Sequence, residues 1–577
     1  FLRLKLAQAI AEAEKNLEPA DVGWGLGNAA DYTALRRWIL RPDRMTDDPF
    51  GNQTVRAASH AGRVLDNVTG ESGPEDPDLS LISFRAKDGR PIALLANFSM
   101  HYFGDRALSA DYFGRFCEGI QQKLSVDRAP EHPPLVALMS HGCSGDIYRV
   151  DYRQPEAAKI SIEQYTDELL AIALSAYQDI QYDDQADLAM GETRMELDYR
   201  VPDQQRLEWA ERIVAAMPEP LPQNTTEVYA REQLLLAESK ATQVVVQALR
   251  IGDIAIATTP TETYALTGLK LKRQSPLPQT MVIELANGGD GYIPPPEQHA
   301  LGGYNTWAAR SAGLEVSAEP KITAAALELL ESVAGKPRRS PAQSRGPAAD
   351  AILQAQPCAY WRMDEMQGPR AVDTSENGRD ALYETGVAFF LDGPRSSDYC
   401  VGSESNRAAH FAGGRLETRL PELQDRYSVA LWFWNGMPLD GRPFAGWMLS
   451  RGNPFGLGAG SHHLGLGGTT HPGKLVVQTH ASGAPPQLFA GSTNIDRWSW
   501  NHVVLLRDGS QLRVHLNGQA EPEIVASLEA GDDFPAARFP HLFIGGRSDN
   551  HSNWEGRIDE VAVFDRVLSP AQIAKLL

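Results

Sequence analysis

The stretch that decides the fold of the N-terminal part runs Leu79-Ser80-Leu81-Ile82-Ser83-Phe84, turns at Lys87-Asp88-Gly89, and continues Pro91-Ile92-Ala93-Leu94-Leu95-Ala96-Asn97-Phe98. Two apolar runs separated by turn residues predict a β-hairpin. Further strand-like runs lie at 135–139, 244–249, 254–258 and 280–286, among helical patterns at 114–124, 156–177, 207–217, 226–240, 263–272 and 322–333. Because strands alternate with helices, we expect an α/β (α+β) domain.

The first residues of the chain also have a helical pattern. Apolar side chains recur every three to four positions at Leu2, Leu6, Ile10, Ala13 and Leu17. This spacing predicts a helix that buries one face.

The character of the sequence changes after Ala334. Residues 336–355 begin with a stretch rich in Pro, Gly, Ser and Arg and are predicted to be a linker. Beyond it, short alternating runs predict an all-β sandwich or jelly roll, with strands at 408–411, 428–433, 474–479, 502–506, 512–516, 541–544 and 560–564. The chain is therefore divided into a domain at 1–335, the linker, and a domain at 356–577.

Composition narrows the range of partners. The 577 residues include 54 Lys and Arg against 74 Asp and Glu, a net charge of −20. So acidic a chain without a basic patch is not expected to bind nucleic acid or an anionic membrane. No apolar run approaches the length of a transmembrane segment. Of the four cysteines, Cys358 and Cys400 either pair or remain buried thiols.

Three runs in the C-terminal part carry a family resemblance. They are Tyr360-Trp361-Arg362-Met363-Asp364-Glu365, then Trp500–Val504 leading into Leu512–Gly518, and finally Gly556–Asp565. Together they resemble the concanavalin A-like, laminin-G-like jelly roll. The resemblance implies a domain that binds carbohydrate, matrix or a cell surface, in some members with calcium.

Several residues of this domain have two interpretations. The indoles of Trp432, Trp434, Trp498 and Trp500 belong either to the core or to a sugar-stacking surface. The neighbours His462 and His463 should point to opposite faces of a strand, so we expect no metal site there. The adjacent Asp559 and Glu560 should do the same, which disfavours a polysaccharide-cleaving pair of carboxylates.

Three constellations stand out in the N-terminal part. The first is Ala96–His101 followed by Leu108–Gly114, where a strand leads into a polar loop. The second is the Gly-rich turn His141–Tyr148, and the third combines Thr259–Tyr264 with Leu285–Pro294. Side chains at strand ends are where functional sites are commonly built.

In this order and spacing, the three constellations resemble the neutral/alkaline ceramidase family, which includes many bacterial homologues. The resemblance implies a zinc-dependent enzyme that cleaves an amide bond. It implies that His101, Glu262 and Tyr292 are zinc ligands.

The chain departs from the family pattern at two positions. The family's first zinc-binding histidine has no counterpart, so we expect either that it lies upstream of Phe1 or that the site has lost this ligand. The serine that follows the Gly-Asp pair of the family is Tyr148 here. Cleavage of sphingolipid amides is therefore in question, whereas zinc-dependent hydrolysis is not.

Hydrolysis also requires a group that protonates the leaving group. We expect His141 or Tyr148 to do this, because the Gly-Asp loop faces the metal in the family. Asp146 is assigned to the same catalytic loop, and Asp111 and Asp146 are alternatively expected to orient ligands from behind. The alternative for these four residues is an ordinary structural role in their loops.

The leading hypothesis is a zinc hydrolase that is secreted, periplasmic or at the cell surface. Its substrate would be a small molecule or lipid with an amide or ester bond, and its jelly roll would bind a glycan or surface. The second hypothesis is a catalytically degenerate scaffold whose function is carbohydrate or surface binding by the jelly roll.

Overall fold

The computed structural model describes residues 1–125, 132–154, 159–528 and 539–577. Within these ranges the helices are α1 (Leu2–Lys15), α2 (Asp111–Leu124), α3 (Ile162–Gln178), α4 (Gln204–Ala215), α5 (Thr225–Ser239), α6 (Ala265–Gln274), α7 (Pro296–Ala300), α8 (Ala318–Ala334), α9 (Pro347–Gln354), α10 (Ser396–Tyr399) and α11 (Pro570–Ile573). No helix of the described residues has the length and apolar character needed to cross a membrane.

The strands before residue 340 are β1 (Ala20–Asn28), β2 (Ala34–Leu35), β3 (Arg37–Leu40), β4 (Ala57–Ser59), β5 (Val68–Glu71), β6 (Asp78–Ala86), β7 (Pro91–Phe98), β8 (Val136–His141), β9 (Ile147–Tyr148), β10 (Gln181–Asp183), β11 (Leu188–Asp198), β12 (Ala241–Ile251), β13 (Ile254–Thr258), β14 (Glu262–Thr263), β15 (Gln279–Ile283) and β16 (Tyr292–Ile293). Those after it are β17 (Ala359–Trp361), β18 (Arg370–Ala371), β19 (Ala381–Tyr383), β20 (Val387–Asp392), β21 (Arg407–Ala412), β22 (Leu416–Arg419), β23 (Arg426–Asn435), β24 (Phe444–Arg451), β25 (His462–Gly467), β26 (Leu475–Thr479), β27 (Gln487–Ala490), β28 (Trp500–Asp508), β29 (Gln511–Leu516), β30 (Ile524–Ser527), β31 (His541–Ile544) and β32 (Glu555–Phe564).

The chain forms two compact units. The first contains residues 1–36, 75–294 and 308–340, and the second contains 37–74, 295–307 and 341–577. The predicted boundaries followed the chain continuously, whereas the second unit includes two segments, 37–74 and 295–307, that fall within the predicted domain 1–335. The predicted linker also differs in part, because α9 lies within it and buries Ala349 and Ile352.

The first unit has the predicted mixture of helices and strands. One sheet has the order β10-β1-β6-β7-β8 and another the order β11-β12-β13-β15. The predicted hairpin is β6 and β7, which pair antiparallel. Strands β7 and β8 are parallel, and so are β13 and β15. This arrangement brings four strand ends to polar loops, which are described below.

The first residues form a helix, as predicted, but this helix does not bury one face, as was also predicted. Residues 2–15 form α1, but none of them is buried. Leu2, Leu6 and Ile10 are all more than half exposed. Periodicity revealed the helix, but nothing among the described residues covers its apolar face.

The second unit contains two large antiparallel sheets, as predicted for a jelly roll. One has the order β20-β21-β32-β23-β28-β29-β30, with β17 beside β32, and the other β18-β19-β22-β31-β24-β25-β26-β27. All seven predicted strands are present.

All four cysteines are free thiols, so Cys358 and Cys400 do not form a disulfide.

Candidate functional site

Four strand ends in the first unit supply the polar residues of the candidate site. Phe98 at the end of β7 lies opposite His141 at the end of β8, and Thr258 of β13 lies opposite Ile283 of β15. Because strands within each pair are parallel, the loops that follow them leave from the same edge of the sheet. His101 follows β7, and Glu284 directly follows β15.

His141 is held by Glu284 and Ser144. The Nδ1 atom of His141 lies 2.9 Å from Oε1 of Glu284 and 3.1 Å from the hydroxyl of Ser144, which itself donates to the same carboxylate oxygen at 2.7 Å. The backbone N–H of Glu284 also donates to the carbonyl of His141. The imidazole is thus anchored at Nδ1, which fixes its orientation and leaves Nε2 on the other side of the ring.

Aromatic rings flank this imidazole. Phe113 of α2 stacks on His141 with ring centroids 5.1 Å apart and an interplanar angle of 21°. The ring of His101 meets it edge to face, with centroids 6.3 Å apart. The structure therefore brings two of the predicted site histidines together.

Glu262 and Tyr292 meet across a short pair of parallel strands. Glu262 of β14 is directly opposite Tyr292 of β16, and the Tyr292 hydroxyl is hydrogen-bonded to the Glu262 carboxylate. Burial raises the pKa of Glu262, and the charge of Glu284 adds to this, while the Tyr292 hydroxyl and Arg36 oppose it. The Oε2 atom of Glu262 is buried and accepts no hydrogen bond from the described residues.

Arg36 connects this pair to the Gly-rich loop. Its Nη2 donates to the Tyr292 hydroxyl at 3.0 Å and to the carbonyl of Gly145 at 2.8 Å. A Cβ at Gly145 would lie 2.7 Å from the carbonyl oxygen of Glu262, so this backbone approach requires glycine. The loop, the arginine and the β14–β16 pair therefore form one closely packed unit.

Asp111 organises the loop that carries His101. Its carboxylate accepts the backbone N–H groups of Phe103, Gly104 and Asp105, and also that of Tyr112. Burial opposes ionisation, but these hydrogen bonds prevail and lower the pKa of Asp111. Asp111 therefore holds the loop in shape, and its predicted role in orienting a zinc ligand stays a prediction.

The other two predicted catalytic residues have structural contacts. Asp146 is buried, and its Oδ1 accepts the N–H of Ala265 at the start of α6, which is a capping interaction. Tyr148 pairs with Ala34 between β9 and β2, and the Arg149 guanidinium lies 5.5 Å from its ring centroid. Catalytic roles for Asp146 and Tyr148 stay predictions.

Sequence reasoning missed Glu284 and Arg36, and it assigned no role to Ser144. The signal for Glu284 was present, because an acidic residue directly follows the apolar run Met281-Val282-Ile283. Arg36 had no such signal: it lies far from the other site residues in sequence, and only the tertiary structure brings it to Tyr292.

The donor chemistry of the site fits zinc. Imidazole nitrogen and carboxylate oxygen are its usual ligands, and the buried Oε2 of Glu262 has no competing hydrogen bond from the described residues. The described ranges nevertheless contain no group of three or more His, Cys, Asp or Glu side chains that could hold a metal. Of the three predicted ligands, Tyr292 is the one whose donor, a phenol oxygen, lies outside these four residue types.

Comparison with known proteins identifies part of the second unit. Residues 414–574 match the concanavalin A-like lectin/glucanases superfamily. The predicted laminin-G-like jelly roll is thereby confirmed for this region. A search of curated protein sequences finds no match to the chain.

Among solved structures, the chain is similar to neutral ceramidase from Pseudomonas aeruginosa at 11% identity and a TM-score of 0.38, covering 91% of this chain and 79% of that one. Domain 4 of AbnA, an extracellular arabinanase from Geobacillus stearothermophilus, in complex with arabinotriose, matches at 17% identity and a TM-score of 0.28, covering 38% and 98%. Trypanosoma rangeli sialidase matches at 15% identity and a TM-score of 0.27, covering 38% and 32%.

The open alternatives in the jelly roll are partly resolved. Trp432 and Trp434 are buried core residues, whereas Trp498 and Trp500 are half-buried. Asp559 and Glu560 are both buried: Asn406 donates to Asp559, and Arg362 donates to Glu560. They therefore do not form an accessible pair of carboxylates. Calcium in this domain stays a prediction.

Proposed function

We propose that the first unit is a zinc-dependent hydrolase acting on an amide or ester bond. The observation that carries the proposal is that His141 contacts Glu284 and lies beside His101, and that Glu262, which is hydrogen-bonded to Tyr292, interacts electrostatically with Glu284 and His141. Buried, mutually supported ionisable groups of this kind are typical of catalytic sites. The sequence resemblance to neutral ceramidases supports the amide as the first bond class to test.

In this proposal His101, Glu262 and Tyr292 hold the zinc ion. When bound, zinc lowers the pKa of a coordinated water and polarises a carbonyl group. Arg36 fixes the Tyr292 hydroxyl by the hydrogen bond at 3.0 Å. The guanidinium thereby fixes the position of the Tyr292 hydroxyl beside the Glu262 carboxylate.

His141 is the proposed proton carrier. Glu284 fixes its Nδ1 atom at 2.9 Å, which leaves Nε2 to transfer a proton to the leaving nitrogen or oxygen as the bond to the acyl carbon breaks. Anchoring one nitrogen by a carboxylate is a general means of orienting a catalytic imidazole.

The second unit is proposed to bind a glycan or cell surface. The lectin/glucanase superfamily match at 414–574 supports this. A hydrolase joined to such a module suits a secreted, periplasmic or surface location, and the substrate would be a small molecule or lipid.

A binding scaffold without catalysis is the second candidate. It is favoured by the lack, in the described residues, of three His, Cys, Asp or Glu side chains placed to hold a metal. Under this candidate the superfamily match would account for the function of the chain.

Zinc content and hydrolysis separate the two candidates. We would measure zinc by elemental mass spectrometry in the 577-residue chain and screen N-acyl amides and esters for hydrolysis. His101→Ala and Glu262→Ala should each remove about one zinc equivalent and the activity, whereas the exposed controls His551→Ala and Glu238→Gln should keep both. Zinc-free and inactive protein would overturn the hydrolase proposal and leave the scaffold.

A further inference from the structure

A second set of histidines lies in the jelly roll, on strands β25 and β26. His463 of β25 is directly opposite Gln478 of β26, and the backbone N–H of His480 donates to the carbonyl of Ser461. Residues directly opposite each other on paired strands point to the same face, and side chains alternate between the two faces along each strand. Ser461, His463, Gln478 and His480 therefore share one face. The neighbour His462 points the other way and contacts Tyr427.

Three buried polar atoms on this face have no hydrogen-bond partner in the described part of the chain. They are Nε2 of His463, Nε2 of His480 and the hydroxyl of Ser461. His463 is fully buried. Leaving a buried polar atom unsatisfied is costly, so a cluster of three points to a bound species.

The orientation of His463 is fixed from its other nitrogen. Its Nδ1 lies 2.6 Å from the hydroxyl of Ser450, which in turn accepts the backbone N–H of Ser548 at 3.0 Å. If Nδ1 carries the proton and donates it to Ser450, the lone pair of the imidazole is at Nε2. A hydrogen bond of this kind to the remote nitrogen is how metal-binding histidines are commonly oriented.

The two rings have the separation expected of imidazoles that share a metal. Their centroids are 5.2 Å apart with an interplanar angle of 73°. With metal–nitrogen bonds of about 2.0–2.1 Å and a tetrahedral angle, two imidazole centroids are about 5 Å apart. The wider pair His101 and His141, at 6.3 Å, does not have this spacing.

The charges around the pair are compatible with a cation. The charge of Arg547 acts on both imidazoles. Arg547 is itself paired with Asp549 at 2.8 and 3.0 Å and donates to Gln478. Its positive charge is therefore largely compensated.

We propose that His463 and His480 bind a divalent transition metal ion through their Nε2 atoms. Water completes the coordination, and the Ser461 hydroxyl hydrogen-bonds to it. Imidazole ligands favour Zn²⁺, Ni²⁺ and Cu²⁺ over Ca²⁺ and Mg²⁺. This site is separate from the zinc site proposed for the first unit.

The test uses the full chain carrying His101→Ala and Glu262→Ala, so that the first proposed zinc site does not contribute. After treatment with a chelator, Zn²⁺ binding is measured by calorimetry, and Co²⁺ is added to detect the visible absorption of a nitrogen-ligated ion. We expect one equivalent to bind. His480→Gln and His463→Gln should each weaken binding at least 100-fold, and the exposed control His551→Gln should not.

Folding is checked for every variant by circular dichroism and thermal melting. His480 is only half-buried, so its variant keeps the test valid if His463→Gln fails to fold. No metal binding in the His101→Ala and Glu262→Ala background, or unchanged binding in His480→Gln, would overturn the proposal and assign the buried atoms to water. Neither outcome bears on the zinc site of the first unit.

Discussion

Glu284 is the residue on which the candidate site depends most directly. Its Oε1 accepts the Ser144 hydroxyl at 2.7 Å and lies 2.9 Å from Nδ1 of His141. It was missed because an acidic residue after an apolar strand is a common feature. Its importance comes from two partners about 140 positions earlier in the chain.

Replacing Glu284 by alanine should lower the free energy of unfolding by about 2–3 kcal/mol, because both polar partners lose a buried acceptor. Glu284→Gln should cost less, since its amide oxygen can still accept. The measurement is urea unfolding followed by circular dichroism, with Glu238→Ala as an exposed control expected within about 0.5 kcal/mol. Equal stability of Glu284→Ala and wild type would contradict this account.

His502 makes the stability of the jelly roll depend on pH. Burial lowers its pKa from 6.5 to about 3 in the folded protein. Below pH 6.5 the unfolded chain binds a proton that the folded chain does not, so stability falls as the pH drops toward 3. Between pH 7 and pH 5 this one histidine should cost about 2 kcal/mol.

The variant His502→Gln cannot take up this proton. Its unfolding free energy should therefore fall less steeply between pH 7 and pH 5 than that of the wild type, by about 2 kcal/mol over the interval. Denaturant titrations at several pH values provide the comparison. If the unfolding free energies of the two proteins fall equally with pH, then His502 takes up a proton in the folded state and the prediction is wrong.

At the scale of elements, α1 and α2 have similar lengths but different relations to the core. No residue of α1 is buried, whereas α2 buries Tyr112, Phe116 and Ile120. A periodic sequence pattern predicts that a helix forms. It does not predict which surface, if any, covers the apolar face.

Matched substitutions in the two helices measure this difference. Ile10 is 70% exposed and Ile120 is 0% exposed. Ile10→Ala should change the unfolding free energy by no more than about 0.5 kcal/mol, whereas Ile120→Ala should cost about 2–5 kcal/mol because it leaves a cavity. A large loss for Ile10→Ala in chemical denaturation would mean that α1 is packed against an apolar surface.

At the scale of the whole molecule, the second unit depends on segments from distant parts of the chain. Arg557 is paired with Glu71 at 2.7 Å, and Glu555 is paired with Arg56. All four side chains are buried. Cutting the chain at the predicted linker would therefore separate Arg557 from Glu71 and Glu555 from Arg56.

The fragment 341–577 should be much less stable than the same unit in the intact chain. Each buried charge left without its partner costs about 3–5 kcal/mol. We would compare solubility and thermal melting of the fragment with those of the intact chain. Arg557→Met with Glu555→Gln should partly restore the fragment, and a fragment that melts at the temperature of the intact chain would contradict the prediction.

The sequence by itself determined the local elements and the class of each half. Alternating apolar residues predicted β6, β7 and the jelly-roll strands, because the two-residue period of a strand is imposed by its own backbone. The family resemblance of three short motifs singled out His101, Glu262 and Tyr292, and their role as zinc ligands stays a prediction.

Only the tertiary structure decided which groups act together. Glu284 on His141, Arg36 on Tyr292 and His463 beside His480 depend on strand pairing and loop packing across long separations in sequence. The membership of residues 37–74 in the second unit has the same origin. Hydrophobic periodicity is a local property, whereas hydrogen bonds and ion pairs between distant segments form only after the chain has been brought together.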